Sequence, residues 1–192
     1  IHVYDDKGDE YLDLYGGHAV ISIGHAHPNY VKAVTSQVET LGFYSNAIQN
    51  PLQKQLADKL ESLSNTKDYE LFLCNSGAEA NENALKLASF KTGKKRVVAF
   101  SKGFHGRTSA AVAVTDNKNI IAPINAQQAV TILPLNDVEG VKAELEKGDV
   151  CAVIVEFIQG IGGLDQGTKK FFEDVDKLCK ANNTLFIADE IQ

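Results

Sequence analysis

The alternation of short apolar runs with longer amphipathic stretches, which begins at residue 69, constrains the fold of this chain most. Runs rich in valine and isoleucine predict β-strands, and apolar residues at helical spacing between them predict helices. The strands are predicted at Tyr69–Cys74, Arg96–Phe100, Ala129–Leu133, Val150–Val155 and Thr184–Ala188, and the helices at Ala78–Phe90, Asp137–Lys147 and Gly167–Ala181. This order predicts an α/β domain, a mostly parallel sheet with helices on both faces.

The first 68 residues follow a different pattern. A turn at Gly8 separates two strand-like pieces, a glycine- and histidine-rich segment follows, and helices are predicted at Asn29–Leu41 and Pro51–Leu63. We therefore predict an N-terminal arm over residues 1–68 and an α/β domain over residues 69–192. Because the chain lacks an initial Met and stops directly after an apolar run, we expect it to be a piece of a longer protein.

Charge and cysteine content exclude several classes of function. The formal net charge of −6 offers no basic field for a phosphate backbone, so nucleic acid is not an expected partner. The three cysteines show no CxxC spacing, which indicates free thiols and a cytoplasmic location. No apolar run approaches the ~20 residues that cross a bilayer, so we expect no membrane span.

Unusual residues follow the carboxyl ends of four predicted strands. They lie at Asn75–Ala78, Gly103–Thr108, Glu156 and Asp189–Gln192. In an open parallel sheet, ligands bind outside the carboxyl ends of the strands. We therefore expect these clusters to meet along one edge of the sheet, with the Asp189 carboxyl group within about 10 Å of Gly77, a span that one small ligand covers.

The first cluster has two interpretations. Gly77 permits a close turn, and the free N–H groups of the helix that follows favour an anion such as a phosphate. Alternatively, Ser76 caps the helix and Glu79 completes a capping box. The two interpretations are compatible. Neither a P-loop nor a GxGxxG pattern is present, so a nucleotide-binding domain lacks its fingerprint.

The other clusters are open to similar alternatives. Phe104 beside two glycines suits a flat ligand and Arg107 suits a carboxylate, or they are a core residue and a surface ion pair. Asp189 suits a cationic ring nitrogen, a metal or a nucleotide. His25 and His27 lack a third ligand with suitable spacing, so no metal site is predicted. His105 has no nucleophile-elbow partner that would favour a hydrolase.

Taken together, these motifs resemble those of the class III aminotransferases, which depend on pyridoxal phosphate. The resemblance rests on Asn75–Asn81 (NSGAEAN), Phe104–Thr108 (FHGRT), Glu156–Gly160 (EFIQG) and Asp189–Gln192 (DEIQ), supported by Tyr11–Leu14, Gly16-Gly17 and Gly24–Pro28. It covers essentially the whole chain. Within the class, the sequence is most similar to the acetylornithine and succinylornithine aminotransferases of arginine biosynthesis.

The resemblance implies a role for each matching residue in the large domain of a fold-type I transferase. Ser76, Gly77 and Ala78 are expected at the cofactor phosphate, Phe104 against the pyridine ring, Asp189 at the ring nitrogen and Gln192 at the phenolic oxygen. Arg107 and Glu156 are expected on the substrate side, with Arg107 holding a carboxylate. The Schiff-base lysine of the family matches no lysine here, so we expect it, the rest of the large domain and the small domain after Gln192, and no catalytic residue in this chain.

The implied reaction moves the terminal amino group of N-acetyl- or N-succinyl-ornithine to 2-oxoglutarate, which becomes glutamate, in a homodimer. Other class III ω-aminotransferases, acting on ornithine or 4-aminobutyrate, share the ring-binding residues, and a non-catalytic relative of the fold is the remaining alternative. The sequence departs from the family at Phe157 and Ile161, where Pro and Glu are usual, and at His18, where an aliphatic residue is usual. We expect Ile161 and His18 to alter which acyl group fits.

Overall fold

The computed structural model describes residues 1–45 and 47–192, and the chain divides into two compact units, Ile1–Phe72 and Leu73–Gln192. The first unit contains a hairpin of two antiparallel strands, in which His2 lies opposite Leu12. Gly8 turns the hairpin with a φ of +87°, a conformation that glycine adopts without strain. The elements of this unit are β1 (His2–Tyr4), β2 (Glu10–Leu12), α1 (Gly16–Ala19), α2 (Pro28–Leu41) and α3 (Pro51–Ser64).

The two longer helices of the first unit begin within one residue of their predicted starts. The side chain of His27 accepts a hydrogen bond from the N–H of Asn29 before α2, and that of Asn50 accepts one from Leu52 before α3. A proline follows each cap, at the position where a missing N–H costs nothing. The short α1 was not predicted, and it contains residues with positive φ, so it is an irregular turn rather than a regular helix.

The second unit is a four-stranded parallel sheet with helices on both faces, which confirms the predicted fold class. The strand order is β4-β3-β5-β6, and each neighbouring pair is parallel. Its elements are α4 (Gly77–Thr92), β3 (Arg96–Phe100), α5 (Ser109–Ala113), β4 (Val130–Leu133), α6 (Val138–Leu145), β5 (Val150–Glu156), α7 (Lys169–Ala181) and β6 (Leu185–Asp189), with a 3₁₀ turn at Lys118–Ile120. Sequence reasoning missed α5 and the 3₁₀ turn.

Each face of the sheet carries its own hydrophobic core. On one face, Val98 and Val153 pack with residues of α6 and α7, including Phe171. On the other face, Ala99 and Ile154 pack against α4. Every residue of β5 is buried, as expected of a central strand covered on both sides. The two helical layers fix the strand ends, and with them the loops that carry the candidate site.

The strand predicted at Tyr69–Cys74 is wrong. These residues form no ladder with any strand in the described part of the chain, and the side chains of Tyr69 and Phe72 are exposed. A strand exists only where a neighbour accepts and donates its backbone hydrogen bonds, and composition does not reveal whether that neighbour is present. None of the helices in the described ranges is both long and apolar enough to span a bilayer.

Candidate functional site

The first turn of α4 presents backbone N–H groups at the carboxyl edge of the sheet. The hydroxyl of Ser76 accepts from the N–H of Glu79 at 3.2 Å, so Ser76 caps the helix as predicted. The Glu79 carboxylate returns one residue earlier than in a regular capping box and accepts from the N–H of Asn75 at 2.7 Å. No acceptor in the described ranges takes the N–H of Gly77 or Ala78. These two donors remain available to an anion.

The loop after β6 lies directly against this helix start. A Cβ added to Gly77 would lie 2.8 Å from Cγ2 of Ile191, so the absence of a side chain permits the approach. Asp189, two residues earlier, is hydrogen-bonded to Asn81, one turn into α4. The loop after β6 therefore contacts the first turns of α4 at Gly77 through Ile191 and at Asn81 through Asp189, while the expected span between the Asp189 carboxyl group and Gly77 stays a prediction.

The carboxylate of Asp189 is buried and accepts three hydrogen bonds. Its Oδ2 accepts from Asn81 Nδ2 at 2.7 Å and lies 2.8 Å from His105 Nδ1, while its Oδ1 accepts from the N–H of Ile191 at 3.2 Å. Burial acts to raise the pKa of Asp189, but the bonds from His105 and Asn81 and the attraction of the His105 ring outweigh it. The pKa lies below its ordinary value, so the group is a buried anion at neutral pH.

His105 is itself fixed by the loop that contains it. The imidazole ring of His105 is almost fully buried against Asp189. The backbone N–H of His105 donates to the hydroxyl of Thr115 at 2.9 Å. That hydroxyl donates in turn to the carbonyl of Ala111 at 3.0 Å. Because the Asp189 carboxylate is an acceptor, this contact assigns the ring proton to Nδ1. His105 is thus a partner of Asp189 rather than part of a hydrolytic triad.

The aromatic ring of Phe104 is half-buried at the same edge of the sheet. Its backbone N–H donates to Glu156 Oε1 at 2.8 Å, and Glu156 Oε2 accepts from the N–H of Gly160 at 3.1 Å. One buried carboxylate therefore ties the loop after β3 to the loop after β5. In this arrangement Glu156 holds loops, and its predicted contact with substrate stays a prediction.

The remaining predicted residues lie at the exposed rim. The guanidinium of Arg107 is exposed, with its Cζ 6.0 Å from the centre of the Phe104 ring, and no acidic side chain in the described ranges pairs with it. The side chain of Gln192 lies beside Gly160, where an added Cβ would be 3.5 Å from Gln192 Oε1. The expected roles of Arg107 and Gln192 stay predictions.

Sequence reasoning missed the role of Glu82, on α4. Its carboxylate accepts from the hydroxyl of Thr108 at 2.6 Å and from the N–H groups of Ala110 and Ala111 at 2.9 and 3.1 Å. It thus caps α5 from another helix. The local sequence does not indicate this role, because Glu82 and its hydrogen-bond donors are 26 to 29 residues apart in the chain. No cluster of possible metal ligands occurs among the residues that the structure describes.

The donor set fits a flat, phosphorylated ring that carries a protonated nitrogen. The free N–H groups of Gly77 and Ala78 suit a phosphate, the half-buried ring of Phe104 suits an aromatic face, and the anionic Asp189 suits a cationic nitrogen. Hydrogen bonds and close contacts among residues 73–192 hold these groups at one edge of the sheet. The arrangement matches the chemistry of pyridoxal phosphate.

Fold and site together define a transferase of the pyridoxal-phosphate type, and the comparison with known families identifies its class. The sequence pattern of "Aminotransferase class-III" matches residues 1–192, so the chain belongs to the class III aminotransferases. These enzymes depend on pyridoxal phosphate, which is the cofactor expected from the sequence.

Acetylornithine aminotransferases are among the most similar relatives of the chain. It is 42% identical to that of Bacillus amyloliquefaciens, covering all of this chain and 83% of the relative. It is also 42% identical to that of Bacillus subtilis, covering 49% of that relative. The chain thus spans about half the length of most curated relatives that it matches.

Solved structures show the same fold. The ornithine aminotransferase of Toxoplasma gondii, described with pyridoxal phosphate at its active site, superposes with a TM-score of 0.85 at 27% identity. The superposition covers 97% of this chain and 46% of that one. The likeness extends the family assignment from sequence to three dimensions.

Proposed function

We propose that the edge of the sheet formed by the loops after β3, β5 and β6 binds pyridoxal phosphate. Gly77 and Ala78 hold the phosphate beside Ser76, Phe104 covers the ring, Asp189 faces the ring nitrogen and Gln192 faces the phenolic oxygen. The observation that carries the proposal is the buried, ionised carboxylate of Asp189 close to the start of α4. Such an anion is stable there only with its hydrogen-bond donors, and it attracts a cationic ligand.

When bound, pyridoxal phosphate supplies an electron sink for a substrate that loses a proton next to its amino group. The residues of this chain supply position and charge. The charge of Asp189 keeps the ring nitrogen protonated, Phe104 excludes water from one face of the ring, and Glu156 holds the Phe104 loop in place. Arg107 is the exposed cation that binds a substrate carboxylate.

The proposed reaction is the transfer of the terminal amino group of N-acetyl-ornithine to 2-oxoglutarate, giving glutamate. The names of the curated relatives support acetylornithine over ornithine or 4-aminobutyrate. N-succinyl-ornithine is the second candidate substrate, since it differs only in the acyl group. Arginine biosynthesis is the corresponding role, and the three free thiols support a cytoplasmic location.

We further propose that the chain acts in a homodimer. None of the described residues of α2 and α3 is buried, although both helices carry apolar side chains. Leu52, Leu56 and Leu60 recur at helical spacing on α3, and all three are exposed. Apolar helix surfaces of this kind are typical of subunit interfaces.

The cofactor proposal is tested with 4′-deoxypyridoxine 5′-phosphate, which lacks the aldehyde and therefore reports only non-covalent contacts. We expect this chain to bind the analogue and the Phe104→Ala variant to bind it about tenfold more weakly, because a stacked aromatic face is lost. Phe90→Ala is the matched control, since Phe90 is exposed on α4. Calorimetry that finds no binding, or equal affinity for the wild type and Phe104→Ala, would contradict the proposal.

The substrate proposal predicts an effect of Ile161. This side chain is exposed on the loop after β5, where the family has a carboxylate. Measured in an enzyme that also carries the family's Schiff-base lysine, Ile161→Glu is expected to lower kcat/KM for N-succinyl-ornithine relative to N-acetyl-ornithine by roughly threefold to tenfold, because the succinyl carboxylate then meets a like charge. Leu164→Glu places the same charge elsewhere on the loop as a control. An unchanged ratio of kcat/KM for the two substrates would show that Ile161 does not determine which acyl group is accepted.

A further inference from the structure

The side chain of Asn81 joins two of the loops that form the site. Its Nδ2 donates to Asp189 Oδ2 at 2.7 Å and to the backbone carbonyl of His105 at 2.8 Å. Asn81 is 5% exposed, so both bonds lie out of water, where an unmade bond is costly. Asn81 closes the NSGAEAN motif, but neither the motif nor the family resemblance gives it a role.

The chemistry of the two contacts requires an amide. Both partners of Asn81 are acceptors, so only the amide nitrogen, with two N–H groups, satisfies them together. The opposite orientation of the amide would place its oxygen against two oxygens. A leucine at this position would supply neither bond, and an aspartate would place a second carboxylate against Asp189.

The contacts on Asp189 are unequally divided between its two oxygens. Oδ2 accepts from both Asn81 and His105, which uses both of its lone pairs. Oδ1 accepts only the N–H of Ile191, over a longer 3.2 Å, within the described part of the chain. One lone pair of Oδ1 therefore remains for a further donor.

We infer that Asn81 is a positioning residue that, with His105, occupies Oδ2 of Asp189 and so presents a charged Oδ1 to the ring nitrogen of the cofactor. The inference rests on the proposed binding of pyridoxal phosphate and deepens it. Asn81 touches neither the cofactor nor the substrate in this scheme. Its effect reaches the ring only through the orientation and charge of Asp189.

Few other titratable groups face Asp189. His105 approaches from the loop after β3, and Glu156 lies opposite Asp189 in the register of β5 and β6. The two oxygens of Glu156 accept from the backbone N–H groups of Phe104 and Gly160. The hydrogen bonds of this carboxylate are therefore made to other loops and not to Asp189. From α4, Asn81 is the residue whose side chain contacts Asp189, whereas Glu79 and Glu82 bond elsewhere. Loss of the Asn81 amide therefore removes one of two side-chain donors to Asp189.

The first test follows the side-chain carboxyl ¹³C resonance of Asp189 in the ligand-free chain from about pH 7 down to about pH 4.5, above the usual range for aspartate. We expect no protonation of wild-type Asp189 in this window, whereas Asn81→Leu begins to protonate because a bond to the charged form is lost. Asn83→Leu is the matched control, since Asn83 lies two positions along α4 and its side chain donates to the Glu79 carbonyl at 2.8 Å rather than to Asp189. A resonance in Asn81→Leu that stays constant like the wild type would overturn the inference.

A second variant covers the case in which Asn81→Leu does not fold. Asn81→Asp keeps the shape of the side chain and sets two carboxyl groups against each other, so one of them is expected to retain a proton well above the usual range. We expect a new titrating carboxyl resonance in the same pH window, shared between both positions. Two independent titrations at ordinary values would show that the groups are not in contact and would refute the inference.

Binding of 4′-deoxypyridoxine 5′-phosphate separates this inference from the proposed function. We expect Asn81→Leu to bind the analogue about tenfold more weakly than Asn83→Leu, since a bond to a charged group is lost. Absence of binding to the wild-type chain would refute the proposed function, while the NMR titration still decides the ionisation of Asp189. Equal affinity of Asn81→Leu and the wild type would refute the positioning role.

Discussion

Gly106→Ala is expected to destabilise the protein by about 3 kcal/mol or more, because the added methyl group both strains the backbone and clashes with a neighbouring residue. Gly106 has a backbone φ of +125°, a conformation that residues with a Cβ rarely adopt. The added Cβ would also lie 2.6 Å from Cβ and 2.8 Å from Cα of Ala78, in the first turn of α4. The second clash is with backbone, so no rotation of a side chain relieves it.

Urea unfolding followed by circular dichroism measures this effect, and a second glycine separates its two causes. Gly148 has a φ of +80° and nothing within 4 Å of an added Cβ. We expect Gly148→Ala to cost about 1 kcal/mol from backbone strain alone. A Gly106→Ala midpoint equal to that of Gly148→Ala would show that the contact with Ala78 carries no energetic weight.

The same substitution connects the fold to the site. Ala78 supplies one of the two N–H groups that are free to hold a phosphate, and the Gly106 loop also carries Phe104 and His105. A loop displaced by a methyl group moves the aromatic ring and the partner of Asp189 together. We therefore expect Gly106→Ala to lose affinity for the cofactor analogue even at temperatures where it remains folded.

Those elements of the fold whose signals are local were predictable. The strand Arg96–Phe100 was predicted with its observed bounds, because a run of apolar residues buried on both faces is visible in the sequence. Helix α4 was also predicted, over Ala78–Phe90, from its apolar spacing and the Ser76 cap, and the structure extends it to Gly77–Thr92, where Gly93 follows with a φ of +70°. In both cases the residues that determine the element lie within or beside it.

Elements that depend on distant residues were not predictable. Helix α5 has only five residues, and its first turn is held by Glu82 on another helix. The segment Tyr69–Cys74 has the composition of a strand but pairs with no strand among the described residues. Sequence pattern records what a segment prefers, and these outcomes depend on what lies beside it in space.

The candidate site also has features that could be predicted from the sequence and features that could not. That the loops after the strands meet at one edge follows from the parallel sheet, and the contact of Ile191 with Gly77 is an instance of it. The partners of each side chain did not follow. Asn81 and Asp189 are 108 positions apart, and their bond depends on the packing of α4 against β6. Only a structure assigns such a contact.

Asp189→Asn is expected to weaken binding of the cofactor analogue by about a hundredfold or more, because one partner of a buried charge pair is lost. The amide oxygen of the variant would accept from Asn81 and His105, which leaves its NH₂ facing the ring nitrogen. A donor in that place repels a protonated nitrogen. The absorbance of the bound analogue reports ring protonation, and we expect the variant to lose the ring proton at a lower pH than the wild type does.

Acid unfolding of the ligand-free chain supplies an independent measurement. The folded pKa of Asp189 lies below its unfolded value of about 3.9, so its ionised form stabilises the fold above about pH 4 and this contribution disappears as the pH falls through the folded pKa. Asp189→Asn should therefore flatten the fall in stability below about pH 4, whereas Asp176→Asn on the surface of α7 should not. The ligand-free wild type shows how the Asp189 carboxylate contributes to stability without a cofactor. If stability falls with pH in parallel for the wild type and Asp189→Asn, the buried carboxylate is not held as an anion. The charge that the proposed cofactor requires would then be absent.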